Sequence, residues 1–189
     1  MPQHWECSEA RVKEVVLGIG NTLRGDDGIG VHVVESVNKR LEGSGTRAEQ
    51  NKSGRSDRRI VAIDCGTTPE NYTSIIREHG PDRLVLVDAA EMGLPPGSYR
   101  IIPPERTGIM SVSTHSLPLS LFLSYVGEFC REVVLVAVQP GRMNLGGKLS
   151  RAVRMGGEQV ASLIIEGRLD EIGLLETQAF ETGSTARGS

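Results

Sequence analysis

Lys13-Glu-Val-Val-Leu-Gly18, the loop Gly18-Ile-Gly-Asn-Thr-Leu-Arg-Gly-Asp-Asp-Gly28 and the set Ile29, Val33, Val37 and Leu41 follow one another along the chain, and this order decides the fold. The first segment is an apolar run of strand length, read as a buried strand over 13–18. The second is a glycine-rich loop. In the third, apolar residues recur at helical spacing, which predicts an amphipathic helix over 29–42. Strand, glycine loop, helix is the first half of a βαβ unit.

The same alternation continues. Arg59-Ile-Val-Ala-Ile-Asp64 reads as a second strand, followed by the turn Cys65-Gly-Thr-Thr-Pro69 and a short helix over about 70–79, with Pro69 as its start signal. Arg83-Leu-Val-Leu-Val-Asp88 is a third strand, and Ser98-Tyr-Arg-Ile-Ile102 a short fourth one suited to an antiparallel edge. A helix is expected over 115–126, with Leu117, Leu121 and Tyr125 on one face and Pro118 tolerated in its first turn. Glu132 to Val138 is the fifth strand. A last helix spans 148–167, with Leu149, Val153, Val160 and Ile164 on one side. Strands alternating with helices give an α/β fold in three layers, a mostly parallel five-stranded sheet with helices on both faces. One domain over 1–189 is expected, with its core at about 13–167. Polar residues 43–58 read as a flexible loop and the tail from about 170 as disordered.

Composition narrows the function. The net charge is −3, and no basic stripe with interleaved aromatics is present, which argues against nucleic acid as the main partner. The longest apolar runs are strand-length, too short to span a bilayer. The polar first dozen residues lack the apolar core of a signal peptide. Cys7, Cys65 and Cys130 are odd in number and form no C-x-x-C, so a disulfide framework or cysteine zinc site is not expected, and a reducing cytoplasm fits. Cys130 reads as a packed apolar residue. Cys65 follows an acid in a turn, a placement compatible with a reactive thiol but more often that of a buried one.

Three strands lead to acids. The first runs into Asp26-Asp27, the second ends at Asp64 and the third at Asp88. Ligands of open parallel sheets bind outside the carboxyl ends of the strands, where these acids converge. One such Asp commonly caps a helix or ties a loop. Several together repel unless a cation or proton is shared. Gly20-x-x-x-x-Gly25 has P-loop glycine spacing, but Asp26 and Asp27 stand where Lys and Ser or Thr are needed, so phosphate is excluded and a cation favoured. The dinucleotide fingerprint fails too, with Leu23 at its third glycine. Of the four histidines, His4 lies in the N-terminus, His32 in the first helix as a surface residue, and His79 at a helix end, where it faces the dipole. His115, in Ser113-Thr-His-Ser116, sits at a loop–helix junction, where helix capping is the plain alternative to metal binding. Two carboxylates and an imidazole suit a borderline divalent ion such as Ni²⁺ or Zn²⁺. There is no H-E-x-x-H and no G-x-S-x-G. Asp64-Cys-Gly66 has only a slight likeness to the Asp-Thr-Gly of aspartic proteases.

Gly18-Ile-Gly-Asn-Thr-Leu-Arg-Gly-Asp-Asp-Gly-Ile-Gly30 resembles the N-terminal signature of the hydrogenase-maturation endopeptidases, which process the large subunit of NiFe hydrogenases. Ile63-Asp-Cys-Gly-Thr-Thr-Pro-Glu-Asn71, Leu86-Val-Asp-Ala-Ala-Glu-Met-Gly-Leu94 and Ser113-Thr-His-Ser-Leu-Pro-Leu119 match in the same order. The likeness covers roughly 13–167 and is greatest to the formate-hydrogenlyase and energy-converting branch. It implies a twisted, mostly parallel five-stranded sheet. It implies an aspartyl-type protease in which Asp27, Asp88 and His115 hold the nickel of the precursor active site. That nickel arrives with the substrate, no organic cofactor is involved, and a short C-terminal extension is removed once the metal is in place. The enzyme is expected to be a cytoplasmic monomer. Asp26 and Asp64 are candidate supporting acid–base groups. The stretch 43–58 is longer than the family pattern, and the tail after about 168 matches nothing in it. A non-catalytic nickel-sensing or chaperone-like module would use the same three ligands, and a nucleotide-type α/β binder would use the acids as caps.

Overall fold

The computed structural model describes residues 14–43, 58–103 and 119–176. Chain order is β1 (Glu14–Ile19), α1 (Ile29–Gly43), β2 (Ile60–Gly66), α2 (Thr73–His79), β3 (Arg83–Ala89), β4 (Tyr99–Ile102), α3 (Leu119–Val126), β5 (Glu132–Val138) and α4 (Arg151–Glu166). Short 3-10 turns at Gly25–Gly28 and Pro69–Tyr72 lead into α1 and α2. The five strands form one sheet in the order β2-β1-β3-β5-β4. β1 pairs in parallel with β2 and β3, β3 pairs in parallel with β5, and β4 is the antiparallel edge. The expected α/β architecture is therefore present. No helix among the described residues is long and apolar enough to cross a membrane.

The central strands are apolar at nearly every position because both faces are covered. On one face Val16, Val85, Val87, Val134 and Val136 pack against Val33 and Val37 of α1 and Val153, Val160 and Ile164 of α4. On the other, Val15, Leu17, Leu84, Leu86 and Leu135 pack against Ile76 of α2 and Phe122 and Val126 of α3. Polar contacts tie α1 to α4. Glu158 accepts a hydrogen bond from Ser36 Oγ at 2.7 Å and lies 3.0 Å from His32 Nε2, beside Arg40. His32 is thus half-buried between two helices, not a plain surface residue.

Other details also differ from expectation. The buried face of α3 is Leu119, Phe122 and Val126, while Leu121 and Tyr125 are 57% and 40% exposed. Both triplets fit helical spacing, so periodicity alone does not separate them. Phe122 buries the larger apolar surface, and outward placement gives the Tyr125 hydroxyl the Arg77 guanidinium as hydrogen-bond donor. Leu117 lies outside the described residues. Residues 170–176 are ordered against the sheet edge. Ile101 N–H donates to Gly173 O at 3.0 Å, Leu175 N–H donates to Ile101 O at 2.9 Å, and Ile172 is buried. An edge strand leaves backbone groups unpaired, and this segment satisfies them. Lastly, Arg58, at the end of the expected loop 43–58, places Nη2 2.5 Å from Oε2 of the buried Glu14. Residues 44–57 and 177–189 lie outside the described part.

The first helix sits unusually close to the sheet. A methyl group at Gly30 would lie 2.2 Å from Ile19 O and 2.3 Å from Val87 O, and one at Gly18 would lie 2.3 Å from Gly30 O. All of these obstacles are backbone, which cannot step aside as a side chain can. Gly30→Ala is therefore expected to destabilise the fold by about 3 kcal/mol or more, in the range of severe overpacking. Gly43→Ala, with open space around it, should stay within about 0.5 kcal/mol of the parent. Urea unfolding of the two variants checks both values.

Candidate active site at the sheet switch point

From β1 the chain passes to β2 on one side and then crosses to β3 on the other. That reversal makes the carboxyl ends of β1 and β3 the switch point of the sheet, where open α/β folds bind ligands. Two of the predicted site residues are there. Asp27 lies in the 3-10 turn between β1 and α1, which touches β3, and is 1% exposed. Asp88 closes β3 and is fully buried, with Oδ1 accepting the N–H of Ala89 at 2.7 Å. Alternation along β3 turns Asp88 to the face of Leu84 and Leu86, the face on which α3 packs. His115 precedes the first described residue of α3 by four positions and is itself outside the described residues. Among the described residues, no group of three His, Cys, Asp or Glu side chains gathers in a metal-binding arrangement.

The other two acids have structural duties. Asp26 is fully buried and accepts four hydrogen bonds: from Gly141 N and Arg142 N at 2.9 Å, Ser150 N at 2.6 Å and Ser150 Oγ at 3.0 Å. Burial alone would push its carboxyl up. The N–H groups of Ser150, Arg142 and Gly141 and the Ser150 hydroxyl outweigh that and hold it below the ordinary carboxylate value. The same contact explains the start of α4. Ser150 occupies the N-cap position without capping, because its hydroxyl is turned to Asp26, and the helix begins at Arg151 rather than at 148. Asp64 is exposed, and its Oδ1 accepts Gly66 N–H at 2.8 Å, a local turn tie. It stands on β2, two strands from β3, so its backbone is roughly 10 Å from that of Asp88.

Sequence reasoning passed over Gln139. It is 3% exposed, one residue beyond β5, and organises the loop that follows Asp88. Its Oε1 accepts Met92 N–H at 2.7 Å and Leu94 N–H at 3.3 Å, while Nε2 donates to Glu91 Oε1 at 2.8 Å and Pro140 O at 3.1 Å. The only signal in the sequence was a polar residue directly after an apolar strand.

A sequence model of the hydrogenase maturation protease family, HycI, matches residues 31–167, more than half of the chain. The chain belongs to this family. It is 36% identical over 128 residues to the hydrogenase 3 maturation protease of Escherichia coli K12, covering 67% of this chain and 72% of that protein. Its fold is similar to the solution structure of the endopeptidase HycI from E. coli, with a TM-score of 0.74, 29% identity and coverage of 89% of this chain and 99% of the other. It is also similar to the crystal structure of a NiFe hydrogenase maturation protease, HycI, from Thermococcus kodakarensis, with a TM-score of 0.66, 34% identity and coverage of 85% and 94%. The relatives are peptidases, and this chain is a hydrolase of the same kind. The matched span opens just after Asp27, so Asp27 rests on its position in the fold rather than on that match.

For a hydrogenase maturation protease with this structure, a thiol nucleophile is disfavoured. Cys65 is 2% exposed, and burial followed by the neighbouring Asp64 charge pushes its thiol up to about 12. Cys130 is also buried and raised by burial. With Cys7→Ser removing the cysteine outside the described residues, iodoacetamide at pH 8 is expected to leave the folded protein unlabelled and to modify both remaining thiols after unfolding. Intact-mass spectrometry reads the result.

The Asp26 tie carries a pH signature. A depressed carboxyl contributes stability that is present above its unfolded value near 3.8 and is lost as pH falls through the lower folded value. Asn at this position offers one acceptor oxygen to four donors and sets an NH₂ group against N–H groups. Asp26→Asn should cost about 2–4 kcal/mol at pH 7 and lack the parent's loss of stability below about pH 4, as measured by thermal melts across pH.

Proposed function

We propose that this protease removes the C-terminal extension of a NiFe hydrogenase large-subunit precursor after nickel has been inserted, and that Asp27, Asp88 and His115 recognise the nickel held by that precursor. The observation that carries the reading is the burial of Asp27 and Asp88 on the two flanks of the sheet's switch point, with Asp88 on the face that α3 covers. Buried carboxylates are favoured when a cation is delivered beside them. Two carboxylates and an imidazole form a donor set suited to a borderline ion such as Ni²⁺.

The chemistry follows from positioning. The metal is part of the substrate, so gripping it fixes the nearby peptide bond against the site and makes hydrolysis effectively intramolecular. Asp27 or Asp88 can accept the proton of the attacking water as general base, and a bound nickel would polarise the scissile carbonyl. Buried surroundings raise the value of each charge at the reacting centre. Asp26 stays out of these steps because both its oxygens are engaged in loop hydrogen bonds, and Asp64 because it stands exposed on β2, two strands from Asp88.

Asp27→Asn, Asp88→Asn and His115→Ala are each expected to slow processing of a nickel-loaded precursor by about 100-fold or more, the usual scale for losing a catalytic group. Their thermal stability should remain near that of the parent. Nickel-free precursor should remain intact with every form of the enzyme. The C-terminal mass of the precursor after incubation decides. Full processing by all three variants sinks the assignment. An intact C-terminus with the parent enzyme and nickel-loaded precursor would instead indicate a binding module without turnover.

A further inference from the structure

Two loops at the carboxyl edge of the sheet present apolar side chains beside the candidate site. Leu23 is 67% exposed, Leu145 82% and Met143 39%. Single exposed leucines on a surface need no explanation. These three sit on loops that are bonded to each other. Gly146 N–H donates to Leu23 O at 2.7 Å, Arg24 forms a parallel bridge with Gly147, and Asp26 N–H donates to Arg142 O at 2.9 Å. The four bonds to the Asp26 carboxylate then fix both loops to one another. The result is a pair of loops fixed to one another that carry three exposed apolar side chains, the first of them four residues along the chain from Asp27.

The loops have a definite charge. They also carry Arg24, Arg142 and Lys148, of which Arg142 and Lys148 are exposed. No acidic residue lies between Gln139 and Arg154, and Asp26 and Asp27 are buried. In a chain of net charge −3 these two loops carry exposed positive charge around apolar side chains, while the exposed acids at this edge, Asp64 and Glu91, belong to β2 and to the loop after β3. Apolar centres enriched in Met and Arg, with a charged rim, are the anatomy of a protein interface. An exposed leucine on such a rigid loop is a knob, and it requires a recess on the partner.

We propose that Leu23, Met143 and Leu145, rimmed by Arg24, Arg142 and Lys148, form the docking surface for the folded body of the precursor, through a recess bordered by carboxylates on that partner. This rests on the precursor reading above. It adds that recognition has a part independent of the nickel and of the cleaved segment.

The test uses the full chain and full-length precursor. Leu23→Glu and Leu145→Glu are each expected to raise KM for nickel-loaded precursor about tenfold, as loss of one buried leucine contact would, with kcat within about twofold. Binding of nickel-free precursor, followed by titration calorimetry, should weaken by a similar factor. Arg142→Glu should raise KM at low salt and flatten its dependence on ionic strength. Leu174→Glu, an equally exposed leucine beside β4, is the control and should change neither quantity. Unchanged KM and affinity in Leu23→Glu and Leu145→Glu overturn the proposal, as does an equal effect of Leu174→Glu. A parent dimer that Leu145→Glu dissociates also overturns it, since the surface would then belong to a second copy of this chain. If the parent enzyme binds the precursor but does not cut it, the cleavage reading fails while the affinity comparison still tests the docking surface.

Discussion

The contact on which the rest of the site depends is the backbone of Gly30 set against the carbonyls of Ile19 and Val87, with Gly18 against Gly30 from the other side. No side chain intervenes between helix and sheet at that point. α1 can therefore begin almost on top of the carboxyl ends of β1 and β3, and the chain leaving β1 must reverse within a very short path. The 3-10 turn Gly25–Gly28 is that reversal, and it carries Asp27. Gly20 shows how little room is left: its φ is +144°, and a Cβ there would lie 1.9 Å from Asp27 O. A larger residue at any of these positions would lift the turn away from β3, and Asp27 with it.

Asp26 completes what the glycines begin. The glycines fix the turn against the sheet, while Asp26 fixes the loop after β5 against the turn. It does so with a charge that is fully buried, which is tolerable because four donors replace the water it gives up. Gln139 acts in the same way on the loop after β3, through three side-chain hydrogen bonds to Glu91, Met92 and Leu94. Three loops from three strand ends are thereby held by the chain's own hydrogen bonds.

Much of this was legible in the sequence, for physical reasons. Central parallel strands are covered on both faces, so apolar runs such as Leu84-Val-Leu-Val87 announce themselves without ambiguity. Strand ends in such sheets are where ligands bind, which makes the acids there candidates before any coordinates are known. What periodicity could not decide was which of two equally spaced faces of α3 turns inward. The fate of residues 170–176 was hidden for a similar reason: their order comes from the unpaired edge of β4, a property of the assembled sheet rather than of the segment. Gln139 was hidden because an amide at a strand end has no signature until the loop it bonds is in place.

The four strand-end acids show why residue type alone does not define a site. Asp26, Asp27, Asp64 and Asp88 are chemically identical and all stand near the carboxyl edge. Asp64 is exposed and bonded within its own turn, which is the ordinary role of an Asp that ends a strand. Asp26 is as deeply buried as Asp88, yet its hydrogen bonds tie both oxygens to the loop after β5 and to the start of α4, and lower its proton affinity. Asp27 and Asp88 combine burial with placement at the switch point, the location where this class of sheet receives a ligand. Burial separates Asp64 from the rest, and Asp26 is marked out by four hydrogen bonds that tie the loop after β5 and the start of α4 to the turn. The pair Asp26-Asp27, adjacent in sequence, is thus divided by the fold into one residue whose oxygens tie loops together and one buried in the turn against β3 at the switch point.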